Sequence, residues 1–155
     1  MTEPALTLRP ATEQDLPAVL AIYAQPGVDD GVMLPIDEAR TIFARFSSYP
    51  DYTLYVAERD GLVVGTFTML VMDNLGHLGA PSAVIEDVAV LPALQGSGIG
   101  QAMLRAAFAK AQHKGCYKVA LSAKLKRERA HAFYEQLGFA RHGYSFLVDP
   151  RQAAS

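Results

Sequence analysis

Gln95, Gly96, Ser97, Gly98, Ile99 and Gly100 separate a strand-like run at residues 82–91 from a helix-like run at residues 99–114. Glycines let main chain approach a ligand closely and adopt left-handed conformations that other residues avoid. A helix that opens at such a loop points unpaired N–H groups and its positive dipole end into it. That combination suits phosphate. Two glycine motifs do not fit. A dinucleotide fingerprint requires a third glycine where Gln101 stands, and an acid about 20 residues later. No Asp or Glu occurs between Asp87 and Glu128. A triphosphate loop requires G-K-[ST], and Gly100 is followed by Gln101 and Ala102.

Two further groups could do chemistry. Glu86 and Asp87 interrupt an otherwise apolar strand. Adjacent strand residues point to opposite faces, so the pair is expected to split between them. A carboxylate against apolar walls gains basicity. A salt bridge or a bond to loop backbone explains either acid equally well. Tyr134 follows Phe133 on a short helical run. By spacing alone it reads as a core-edge aromatic.

These residues have to be positioned by the surrounding elements. Leu6 and Leu8 mark a strand ended by Pro10, and Thr12 with Asp15 resembles a helix cap. Leu16, Val19, Leu20 and Tyr23 recur at helical spacing, as do Ile36, Ala39, Phe43 and Phe46. An acidic loop at residues 26–35 joins the two. Residues 52–59 and 62–71 read as a hairpin about Asp60-Gly61. Residues 82–91 form the next strand, after a loop at 73–82. In the helix that follows, Ile99, Met103, Ala107 and Ala111 share a face, and Gly115 caps it. A short strand at 117–122, a basic segment at 123–129, a helix through Phe133 and Leu137, and a last strand at 142–148 complete the chain. The order is βααβββαβαβ, an α/β sheet with helices packed on it.

Composition bounds the class. The 155 residues suit one domain, 1–155, and half of them are hydrophobic. No apolar run has the length of a membrane span, so no membrane partner is expected. The single cysteine, Cys116, excludes an internal disulfide framework and suits a cytoplasmic setting. Cys116 reads as a strand-edge residue rather than a nucleophile. The four histidines lack metal-ligand spacing, so no metal is assigned. Residues 1–87 hold 13 acids and 4 bases, whereas residues 88–155 hold 3 acids and 10 bases. A polyanionic ligand at the glycine loop fits that basic half, and mutual neutralisation of the halves explains it too. No nucleic-acid partner is expected, because aromatics do not interleave with the bases.

Four segments now stand in order: Val84-Ile85-Glu86-Asp87-Val88-Ala89-Val90, the Q-x-x-G-x-G of Gln95, Gly98 and Gly100, Cys116-Tyr117-Lys118-Val119, and Ala132-Phe133-Tyr134-Glu135-Gln136-Leu137-Gly138-Phe139. Together they resemble the GNAT superfamily of acyl-CoA-dependent N-acetyltransferases, specifically from residue 84 to 139. The resemblance implies a mixed, mostly antiparallel sheet with helices on both faces. It implies acetyl-CoA as cosubstrate and direct transfer to a primary amine of a small molecule. Gln95, Gly96, Ser97, Gly98, Ile99, Gly100 and Gln101 would hold the pyrophosphate. Pantetheine would lie along Val88, Ala89 and Val90, with the Val88 N–H polarising the acetyl carbonyl. Glu86 would take the ammonium proton, directly or through water. Tyr134 would give a proton to the departing thiolate, which a phenol of pKa about 10 can do. Lys124, Lys126 and Arg127 are candidates for nucleotide phosphates, and a solvated surface charge is the plainer fate of each. Homodimers are common among similar proteins, an analogy that leaves the oligomeric state open.

Several motifs are similar to those of glucosamine-6-phosphate N-acetyltransferases. Ser122 stands where that subfamily carries an Asp, and the following stretch is longer and more basic. Acceptor sites of the superfamily are built largely from the early helices, and acids there favour a cationic amine. A non-catalytic acyl-CoA-binding regulatory module would keep the glycine loop. The presence of both Glu86 and Tyr134 favours an enzyme.

Overall fold

The computed structural model describes residues 5–152. Their chain falls into two compact units, the first running to Leu121 and the second beginning at Ser122.

The first unit is built on a five-stranded sheet in the order β1-β2-β3-β4-β5. Its strands are β1 (Thr7–Pro10), β2 (Tyr52–Arg59), β3 (Leu62–Met72), β4 (Ser82–Val90) and β5 (Lys118–Ala120). Neighbours run antiparallel except β4 and β5, which are parallel. The mostly antiparallel mixed sheet expected from the sequence is therefore present.

Helices cover both faces, because alternate β2 residues are apolar on each side. Leu54 and Val56 pack with Leu16 and Val19 of α1 (Leu16–Tyr23) and Ala39 of α2 (Ile36–Phe46). On the other face, Gly65 of β3 lies under Met103 and Ile99 of α3 (Ile99–His113). Lys110 of α3 sits over the Tyr55 ring, which stacks on Phe67. Gly115 closes α3 in a left-handed conformation (φ 76°). Its N–H bonds the Gln112 carbonyl at 3.0 Å, and the Cys116 N–H bonds Ala111 at 3.0 Å. This is the helix end the glycine predicted.

The entry to α1 is also as read. The Thr12 N–H donates to the Asp15 carboxylate at 2.7 Å. Arg9 of β1 grips the same carboxylate and also Glu58 of β2.

β3 and β4 carry an irregularity that alternation did not predict. Thr68 pairs with Glu86, but Thr66 pairs with Ala89. Phe67 alone therefore opposes both Asp87 and Val88. Asp87 takes a left-handed conformation (φ 54°) to make this bulge.

The second unit contains α4 (Glu128–Gln136), ended by Gly138 at φ 97°. Expected strand 142–148 is not formed among the described residues. Tyr144, Phe146 and Leu147 are exposed there. A strand needs a partner ladder for its main-chain groups, and no strand pairs with this segment among the described residues. Alternation alone does not supply one.

Candidate functional site

The glycine loop has the geometry its sequence implied. Gly96 (φ 82°) and Gly98 (φ 87°) are both left-handed, and Gly98 immediately precedes α3. The Ala102 N–H is the donor that reaches back to the Gly98 carbonyl, at 3.0 Å. The amides of the first helical turn precede that bond and have no intrahelical acceptor. Gln95, Gly96, Ser97, Gly98 and Gln101 are exposed, and Gly100 is half-buried. Ile99 differs: its side chain is in the core, so only its main chain is available. The Ser97 hydroxyl donates to the Leu94 carbonyl. Gln95 has a structural task that the sequence did not suggest. Its side-chain amide donates to the Gln25 side chain at 2.9 Å and to the Val90 carbonyl at 3.3 Å. Gln25 also donates to Val90, at 3.1 Å. The loop is thereby tied to the end of β4 and to the segment after α1.

β4 offers a main-chain edge beside this loop. Its pairing with β5 covers only Ser82, Ala83 and Val84. Beyond Val84, no strand among the described residues pairs with that edge. The opposite edge continues in register with β3 to Val90. Val88 and Ala89 thus lie on a strand held from one side with no strand among the described residues on the other, and at Val90 the carbonyl takes the Gln25 and Gln95 side chains. Ala89 is buried, and Val88 and Val90 are half-buried.

The bulge changes the reading of the two acids. Glu86 and Asp87 line one cleft of about 360 Å³, together with Tyr49, Tyr52, Leu70 and Val84. The expectation that they split between faces is corrected, because the extra residue cancels the alternation at that point. Glu86 and Asp87 are both exposed as whole residues rather than walled in by apolar side chains. It is the Asp87 carboxyl whose pKa is raised. Desolvation is the main cause, and the negative charge of Asp29 adds to it.

Tyr23 is the last residue of α1. Its hydroxyl is buried, with the Thr66 side chain acting on it. Burial and the charge of Asp87 push its pKa well above the ordinary phenol range. Sequence analysis placed Tyr23 only on a core face. Nothing in the helical spacing signals a buried hydroxyl.

Cys116 is half-buried, and desolvation pushes its thiol pKa up. That opposes a nucleophilic role.

In the second unit, Tyr134 lies on α4 and packs edge-on against Phe139, with ring centroids 5.7 Å apart. Burial raises the pKa of its phenol, while Arg127 opposes the shift. Phe133 packs beside it. His131 is fixed by the Lys124 carbonyl at 2.8 Å. Lys124, Lys126 and Arg127 are exposed.

Residues 19–139 match the Acetyltransferase (GNAT) family. The chain belongs to that family. Membership makes it an acetyltransferase. It is 29% identical to an aminoalkylphosphonate N-acetyltransferase of Salmonella typhimurium over 143 residues, covering 92% of this chain and 90% of the relative. It is 34% identical to a glucosamine 6-phosphate N-acetyltransferase of Trypanosoma brucei brucei over 89 residues. That match spans 57% of this chain and only 58% of the relative. A solved structure from Agrobacterium tumefaciens str. C58 superposes with a TM-score of 0.86 at 35% identity, covering 92% of this chain and 99% of the other. The resemblance drawn from four short motifs is thus a family relationship.

Proposed function

We propose that this GNAT protein transfers an acetyl group from acetyl-CoA to the primary amine of a small molecule, by direct attack within a ternary complex. One observation carries the reading: the open edge of β4 runs from its bulge to the left-handed glycine loop that starts α3. An extended acyl-pantetheine arm can add to such an edge as a further strand does. The pyrophosphate then meets the amides at the start of α3. No side chain is required for either contact. Accordingly Gly96, Ser97, Gly98, Ile99, Gly100 and Gln101 contribute main chain, and Gln95 holds the loop in place.

The residues of this chain divide the remaining work. The Val88 N–H polarises the acetyl carbonyl as negative charge gathers on its oxygen. Glu86, at the cleft, removes a proton from the acceptor ammonium, directly or through water. The freed nitrogen lone pair attacks the carbonyl carbon, and the carbon–sulfur bond breaks. Tyr134 donates its phenolic proton to the departing sulfur, and the second proton shed by the acylated nitrogen restores the phenol. Burial supports this last role, because it keeps the phenol protonated until a stronger base appears.

The acceptor is a cationic amine. Glu86 and Asp87 line the cleft, and Asp29 is within electrostatic range of Asp87. These charges attract an ammonium and repel a phosphate or phosphonate. The test is thiol release from acetyl-CoA across a panel of amines. The panel includes polyamines, aminoalkylphosphonates, glucosamine-6-phosphate, amino acids and peptide N-termini. Faster turnover of the polyamines, weakened by salt, is expected. Equal turnover of anionic amines without salt dependence removes the charge preference. No thiol release with any amine, despite tight coenzyme binding, favours a regulatory binding module instead.

A further inference from the structure

Two carboxamides converge on one carbonyl at the end of β4. The Leu91 N–H turns to the Val64 carbonyl of β3 at 2.9 Å. In a trans peptide the C=O points opposite to the N–H, so the Val90 carbonyl faces away from β3. It accepts there from Gln25 at 3.1 Å and from Gln95 at 3.3 Å. The Gln25 amide also donates to the Ile22 carbonyl at 2.8 Å, and its oxygen accepts from Gln95 at 2.9 Å. Donors and acceptor of the Gln25 side chain are all engaged. Closing the end of α1 takes only the Ile22 bond. The other contacts reach β4 and the glycine loop, 65 and 70 positions along the chain. Ile22 is in the core, so the clamp has a rigid base. The glycine loop has its own supports: Gly96 and Gly98 make its turns, Ser97 bonds Leu94, and the buried Ile99 side chain seats α3. What Gln25 fixes is the place of that loop relative to the end of β4.

We propose that Gln25 is a positioning residue for the coenzyme, holding the two halves of its site at one spacing. One half is the β4 edge that takes the acyl-pantetheine arm, and the other is the set of α3 amides that takes the pyrophosphate. This rests on the transfer reading above. Arm and pyrophosphate belong to one molecule, so both halves are engaged together only when their separation matches it. A spacing set in advance removes part of the ordering cost of binding. The clamp also occupies the Val90 carbonyl, so the ladder that β4 offers to a ligand stops before that group.

Gln25→Met tests this, because it keeps the length of a half-buried side chain and removes its polar end. Calorimetry compares acetyl-CoA, which spans both halves, with ADP, whose diphosphate meets the loop without an arm. The Kd for acetyl-CoA should rise about tenfold, the scale of the hydrogen bonds lost. The Kd for ADP should stay within twofold. Gln25→Ala should give the same pattern. An unchanged acetyl-CoA Kd in the folded variants overturns the assignment. Equal weakening of both ligands overturns it too, and makes Gln25 a support of the loop alone. Both results leave acetyl transfer by wild type intact. ADP that fails to compete with acetyl-CoA on wild type overturns the coenzyme reading, and this inference with it.

Discussion

At the scale of single residues, Asp87 is the most informative departure from pattern. It stands where strand alternation should turn its side chain away from that of Glu86, yet both line one cleft. The left-handed backbone at Asp87 makes that geometry, and its carboxyl is partly stripped of water beside the charge of Asp29. A carboxyl whose folded pKa lies above its unfolded value destabilises the fold once it must ionise. The cost is absent at a pH below the ordinary carboxylate range and complete above the raised value. Asp87→Asn should therefore raise the melting temperature at neutral pH and leave it unchanged near pH 3. Thermal melts at the two pH values check this, and an equal effect at both rules out ionisation as the cause. Asp87 also supplies negative charge to the acceptor, so the same variant should raise acceptor KM. Tyr134→Phe separates a different function. It should lower kcat by roughly 10²-fold, the scale of a lost general acid. Acetyl-CoA affinity, followed by calorimetry, should hardly move. An unaltered rate removes Tyr134 from the reaction.

At the scale of elements, the junction of β4, the glycine loop and α3 has to be stiff in one place and open in another. Gly98 at φ 87° provides the turn, and nothing lies within 4 Å of the position a Cβ would take. Gly98→Ala thus meets no clash. Its cost is the left-handed backbone itself, about 1–2 kcal/mol. The variant should melt a few degrees lower and bind acetyl-CoA at least tenfold more weakly, because relaxing the strain turns the amides away. Normal coenzyme affinity in a folded Gly98→Ala protein would give the loop another role. Gly65 is a contrasting case. A Cβ there would lie 2.8 Å from the Met103 sulfur and 3.3 Å from Ile99, and both side chains are buried. The loop, α3 and the hairpin about Asp60-Gly61 were legible in the sequence, because glycine and hydrophobic period mark them locally. The bulge was not. One extra residue on a strand leaves no mark on composition, and its register depends on Phe67, which lies on another strand. The tie from Gln95 to Gln25 was equally hidden, since the two residues are 70 positions apart. The segment at 142–148 erred in the opposite direction. Its alternation is visible, but pairing is a property of the neighbouring strand and not of the segment.

At the scale of the whole chain, the acids crowd into the first 87 residues and the bases into the remainder. The Arg9 cluster shows how the acidic part is held without a local excess of lysine and arginine. A single guanidinium on β1 reaches Asp15 at 2.7 and 2.9 Å and Glu58 at 2.7 Å. It joins the entry of α1 to β2, and the core formed by α1, α2 and β2 lies directly behind. Asp15 is buried, with 8% of its surface exposed. The hydrogen bonds from Arg9 hold its pKa down to about 2, below the ordinary 3.8, with help from the Thr12 N–H. A carboxylate depressed on folding adds stability above its unfolded pKa. That stability is lost as the pH falls from about 4 towards 2. Solvent access to Arg9 discounts the contribution to on the order of 1–2 kcal/mol. Asp15→Asn should accordingly melt several degrees lower than wild type at pH 7, and the two melting curves should converge near pH 2. Glu58 keeps Arg9 paired in the variant, so the difference reports Asp15 rather than an orphaned guanidinium. Curves that stay parallel down to pH 2 would mean that Asp15 contributes shape to the helix entry but no ionic stability. The early elements that border the acceptor cleft would then be held in acid by their apolar core alone.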